Sequence, residues 1–179
     1  VSEQDLYLPW GTVTPTFWEG GSPKPSLPAA EPPPVPEAVR QELAAIAAAG
    51  AAGQLAEASA SAHRLDAQIT AQHGEAHLHT IQMREVRAHL AHLAGDHAGA
   101  VGWYLHTARL RATVQGGRHP DTAHATKLVY SLWRTLPPAD AQRLVPEVLA
   151  AFTEIHGADS PAVIRTRRQI ALLTAPAST

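Results

Sequence analysis

The chain has 179 residues, no cysteine, and a formal net charge of −2 with histidine counted as neutral. These values exclude a disulfide framework or a thiolate metal site, and they provide no general nucleic-acid footprint. No apolar run reaches the roughly 18 residues of a membrane-spanning helix and no secretory apolar region is visible, so a cytoplasmic setting without membrane contact is the expectation.

Taken in chain order, the first 36 residues differ in kind from the rest. They hold nine of the fifteen prolines and the aromatic residues Tyr7, Trp10, Phe17 and Trp18. Such a segment cannot build a core of its own. It is acidic, with Glu3, Asp5, Glu19 and Glu31 against Lys24. Pro9 and Pro15 argue against a central strand. Residues 22–36 read as a stiff, polyproline-like spacer. At about 3.1 Å per residue it would span about 45 Å. The four aromatic side chains make residues 1–35 a candidate docking tail. Its destination is the chain's own body, a neighbouring copy or a separate protein; a disordered leader is the alternative.

From residue 37 the spacing of apolar residues predicts seven amphipathic helices. The first covers about residues 36–49, with Val39, Leu43 and Ile46 on one face, and Gly50 and Gly53 punctuate it. The second, about 54–72, carries Leu55, Ala58, Ala62, Leu65 and Ile69, then stops at His73-Gly74. The third, about 75–94, places Met83, Val86, Leu90 and Leu93 on one stripe. Gly95 ends it and Asp96 caps the fourth, about 96–115, which runs to Gly116-Gly117. The fifth, about 120–136, buries Ala125, Leu128, Val129, Leu132, Trp133 and Leu136.

Pro137-Pro138 separate that helix from the sixth, about 139–156. Pro146 lacks the amide an interior position needs, so a kink there, or a helix that effectively begins there, is expected. The seventh opens with Ser160 as cap and Pro161 as first residue and ends near Thr174. No stretch alternates at period two. The expectation is an all-α body at residues 36–174, with residues 1–35 as a non-helical tail and 175–179 as a disordered C-terminus.

The helix-ending pairs His73-Gly74, Gly116-Gly117 and His156-Gly157 fall 43 and 40 residues apart. A helical hairpin repeated at that period cannot bury its apolar stripe alone, so neighbours must stack. The run Gly95-Asp96-His97-Ala98-Gly99-Ala100, then Tyr104, Arg109-Leu110-Arg111 and Gly117-Arg118-His119-Pro120-Asp121-Thr122, resembles the long, kinesin-light-chain-like variant of the tetratricopeptide repeat found in actinobacteria. Residues 161–170 are similar to the helix opening that follows the His-Pro-Asp-Thr element in that family. The resemblance covers 75–173 and implies an α-solenoid of hairpins with a concave, peptide-binding groove. The chain departs from the family at Leu128 and Gln169, where an asparagine is usual, and at Leu136–Asp140, where the Gly-Asp turn is replaced.

In such a solenoid the first helix of each hairpin lines the groove. Opposite the apolar stripes of the third, fifth and seventh helices lie Gln82, Glu85 and His89; His124, Lys127, Ser131 and Arg134; and Arg165, Arg168 and Gln169. The candidate peptide-binding residues are therefore Gln82, His89, Lys127, Arg134, Arg165, Arg168 and Gln169. The set is net basic and suits an acidic or C-terminal peptide.

Eleven histidines are present, and His73/His77 and His89/His92 have spacings that align on a helix. No carboxylate accompanies them as a strong ligand set, so no metal or cofactor is expected. A histidine-rich surface responding between about pH 5 and 7.5 is a further expectation. No catalytic motif is visible. The first reading is a non-enzymatic adaptor for a protein or peptide, with self-association through the Ala-rich first two helices as a further partner mode. The alternatives are a regulatory repeat module of a transcription-regulator or kinase system, and a histidine-dependent metal binder.

Overall fold

The computed structural model describes residues 36–174. The tail at 1–35, with Tyr7, Trp10, Phe17 and Trp18, and the C-terminus at 175–179 lie outside the described residues. Among the described residues seven helices run in order: α1 (Glu37–Ala51), α2 (Leu55–His73), α3 (Leu78–Leu93), α4 (His97–Gln115), α5 (Pro120–Thr135), α6 (Pro138–His156) and α7 (Pro161–Thr174). No strand occurs among the described residues. The expected all-α fold is the one observed.

The helices form the hairpins α1–α2, α3–α4 and α5–α6, followed by α7, and neighbours in sequence pack on one another. α4 also reaches α6, so the second helices of the last two hairpins touch. That pattern is the stacking of a helical repeat.

The repeat is written in the turns. Gly74, Gly116 and Gly157 end the second helix of each hairpin with φ of 82°, 92° and 87°. Positive φ is costly for any residue carrying a Cβ, so glycine suits these three stops. In each case the cap N–H donates to the carbonyl four residues back: Thr70, Ala112 and Thr153. Each glycine is followed three residues later by the cap of the next helix. His77 and His119 use Nδ1 to accept from the amides of His79 and Asp121, both at 3.2 Å. Ser160 Oγ accepts from Val163 N at 3.3 Å.

Two sequence expectations need correction. α3 starts at Leu78 rather than near Glu75, because His77 sits in the extended region (φ −125°, ψ 142°) as its cap. The sixth helix does not begin at Pro146; it is continuous from Pro138, with Pro146 inside it. The ring deprives only the Gln142 carbonyl of a donor, and Gln142 and Pro146 are both exposed residues, so the proline lies on the outer face of the helix. Pro138 itself is compatible with the start, since a first-turn residue needs no amide donor.

The core has two parts. Ile46, Ala58, Ala62, Leu65, Ile69, Met83, Val86 and Leu90 fill the space between α1, α2 and α3. A larger cluster around Trp133 and Phe152 joins α4, α5, α6 and Val163 of α7, with Ala88 contributed by α3. α3 therefore serves both, and its residues Ile81, Met83, Arg84, Val86, Ala88 and Leu90 are buried around most of its circumference. Trp133 is fully buried, and its Nε1–H donates to the Ala141 carbonyl over 2.8 Å. That bond ties α5 to the first turn of α6 and satisfies the one polar group on the ring.

Candidate functional site

Arg134 and Arg165 meet around one aromatic ring. The Cζ of Arg134 lies 5.6 Å from the Tyr130 centroid, and that of Arg165 lies 6.0 Å from it. Tyr130 and Arg134 are four residues apart on α5 and so share a helix face. Arg165 comes from α7, the next helix in the first-helix series. The ring's negative face attracts both guanidinium groups and holds them near each other.

Lys127, Arg134, Arg165 and Arg168 are all exposed. None of the four forms an ion pair with a carboxylate among the described residues. α7 carries Arg165, Arg167 and Arg168 and no acidic residue. Exposed apolar side chains border this charge: Ile164 is 41% exposed and Leu172 is 70% exposed. Ile164, Arg168 and Leu172 follow one another at four-residue steps along one face. Gln169 is half-buried beside them.

The α3 part of the expected groove is built differently. Gln82 is half-buried, and its Oε1 is buried without a hydrogen-bond partner among the described residues. His89 is half-buried, and burial first, then nearby His92, lower its pKa to about 4. It is therefore a neutral imidazole at neutral pH and adds no charge to a basic face. Glu85, between them, is held by Arg111 of α4 through Nε at 2.6 Å and Nη2 at 2.8 Å. Burial opposes the charge on Arg111, but the Glu85 bond and charge and the nearby Asp121 carboxylate outweigh it and raise its pKa. The basic part of the site thus belongs to α5 and α7.

A second polar centre was not legible beforehand. Arg84 is buried in α3 and donates from Nε to Asp66 at 3.4 Å, from Nη2 to Glu75 at 3.0 Å, and from Nη1 to His106 Nε2 at 2.6 Å. Arg87 pairs with the other oxygen of Asp66 and stacks over Trp103, its Cζ 4.2 Å from the ring centroid. These partners lie 18 to 22 residues apart in sequence for the Asp66 and His106 contacts, so no helical spacing announces them. Glu75, Arg84, Gly99, Gly102, Trp103 and His106 line an open cleft over this network. Burial, then the charge of Arg84, lower the pKa of His106.

The histidines form contacts of their own. His73, His77 and His79 have ring centroids 4.5, 4.8 and 5.6 Å apart, and His73 and His77 are stacked. Stacked rings direct their nitrogens along parallel planes rather than at a common point. His92 and His97 approach with Nδ1 atoms 3.1 Å apart. Among the described residues no group of three or more histidine, cysteine or acidic side chains is arranged to hold a metal ion, and no helix is long and apolar enough to cross a membrane. Comparison of the chain with protein-family models and with curated proteins found no match.

Proposed function

We propose that this chain is a non-enzymatic, tetratricopeptide-like adaptor of the cytoplasm that captures an acidic protein segment on the face shared by α5 and α7. The observation that carries this reading is the pair Arg134 and Arg165 on the ring of Tyr130, with Lys127 and Arg168 exposed nearby. Four cations without carboxylate partners among the described residues form a surface that an acidic peptide neutralises, and guanidinium forks match carboxylates in geometry as well as charge. The bordering Ile164 and Leu172 offer apolar contact to a hydrophobic side chain in the same segment. Gln82 and His89 are second in importance, because one is half-buried and the other is neutral at pH 7.

The test is fluorescence anisotropy of a labelled glutamate octapeptide with a free C-terminal carboxylate, titrated with the full chain. Binding should weaken at least tenfold between 50 and about 300 mM salt, since several charges are paired on association. The double substitution Arg134→Glu and Arg165→Glu should remove it while circular dichroism stays unchanged. Equal binding by the native and doubly substituted chains would place the partner elsewhere.

A further inference from the structure

We infer that the resident occupant of the α5–α7 face is the chain's own N-terminal segment, residues 3–19. This assignment rests on the proposed acidic-peptide reading of that face and supplies its ligand. The segment carries Glu3, Asp5 and Glu19 and no basic residue, together with Tyr7, Trp10, Phe17 and Trp18. The face carries Lys127, Arg134, Arg165 and Arg168, without a carboxylate partner for any of them among the described residues. The two surfaces match in two chemical terms. Carboxylates pair with guanidinium groups, while indole and phenyl rings stack on guanidinium planes and cover Ile164 and Leu172.

Chain length permits the contact. α1 begins at Glu37, and the packed path from α1 to α7 runs through α2, α3, α4 and α6. Packed helix axes are about 8–10 Å apart, so the five steps of that path amount to about 40–50 Å if all run in one direction. Residues 20–35, rich in proline, span up to about 50 Å at about 3.1 Å per residue. The extended length of the linker therefore matches the distance to the basic face. A tethered ligand meets its site at an effective concentration set by linker length and stiffness, which is greatest when the linker's length matches the span. An acidic partner must then displace residues 3–19, which makes the segment a competitor built into the chain.

The chain has no native cysteine, so Thr16→Cys allows a single nitroxide label beside Phe17 and Trp18. In the nitrogen-15-labelled full chain, amide signals of Tyr130, Arg134, Arg165 and Arg168 should lose at least half their intensity relative to the reduced label. Signals of Glu57 and Arg64 in α2 should not. The effect should vanish in the Arg134→Glu, Arg165→Glu background and at 0.5 M salt. A full chain with Glu3→Gln, Asp5→Asn and Glu19→Gln should bind the glutamate octapeptide about tenfold more tightly than the native chain.

Octapeptide binding without selective broadening would overturn this assignment and leave the proposed function standing. Absence of both would remove the two together. Broadening seen only when labelled and isotope-enriched chains are different molecules would assign the occupant to a second copy and overturn the intrachain contact.

Discussion

Arg84 of α3 donates from Nη1 to Nε2 of His106 on α4 across 2.6 Å, at the edge of a buried ionic network. The contact requires that His106 Nε2 carry no proton, and the nearby charge of Arg84 adds to burial in lowering the pKa of that ring. On its other nitrogens Arg84 serves Asp66 and Glu75. One guanidinium thus connects α2, the turn after it, α3 and α4.

Removing that guanidinium should be expensive. Asp66 and Arg84 have side-chain exposures of only 7% and 8%. Breaking a buried pair from one side costs about 3–5 kcal/mol, because an uncompensated charge remains. Arg87 still reaches Asp66, so we expect Arg84→Met to cost about 3 kcal/mol, at the lower end of that range. Urea denaturation of Arg84→Met, and of Arg84→Met with Asp66→Leu, measures this. The double variant should recover much of the loss; a double variant as unstable as the single one would contradict a charge-based penalty.

Acid should weaken the fold through His89. Unfolded, its imidazole titrates near 6.5; folded, burial and His92 lower the pKa to about 4. Between those values the unfolded chain binds more protons, so stability is complete above pH 6.5 and declines as the pH falls toward 4. After allowance for partial exposure, the expected loss is roughly 1–2 kcal/mol. Thermal melts from pH 7.5 to 4 should show the decline, and His89→Gln should flatten it. Burial also lowers the pKa of His77, His92, His106 and His156, so the histidine response lies at lower pH than the unperturbed side chains suggest.

Gly117 is required by packing. A Cβ at this position would fall inside contact distance of the Ile155 carbonyl oxygen, near the end of α6. Backbone cannot swing aside as a flexible side chain can. Gly117→Ala should therefore cost about 1–3 kcal/mol, the usual range for forced overpacking. Gly102→Ala, where nothing lies within 4 Å, should instead be neutral or slightly stabilising through helix propensity. Chemical denaturation of the two variants gives the comparison; equal stabilities would refute the close approach.

Tyr130 organises the basic face without carrying charge itself. Each cation over its ring contributes about 0.5–1 kcal/mol at an exposed site. Tyr130→Leu keeps an apolar side chain but removes the quadrupole that holds Arg134 and Arg165. Octapeptide affinity should fall about three- to tenfold, with the melting temperature shifted by only a few degrees. Unchanged affinity would show that the two arginines act independently of the ring.

Local chemistry made the helices legible. Asp96 caps α4 by accepting from Gly99 N at 2.9 Å; Ser160 caps α7, and His119 begins α5, as their positions in the chain indicate. These are interactions between residues two or three apart, decided before any tertiary contact forms. The same locality made Lys127, Arg134, Arg165 and Arg168 recognisable as an exposed basic set, since they lie opposite the apolar stripes of their helices.

Tertiary structure decided what these side chains meet. It neutralised His89 by burial, committed Glu85 to Arg111, and brought Arg165 of α7 to a tyrosine on α5. It also let Pro146 remain inside a continuous α6, on the exposed face of the helix. Periodicity along a helix specifies which face turns inward. Only the packing of one helix against another, with its distances and its exclusion of water, determines which charges are paired, which are silenced and which stay exposed.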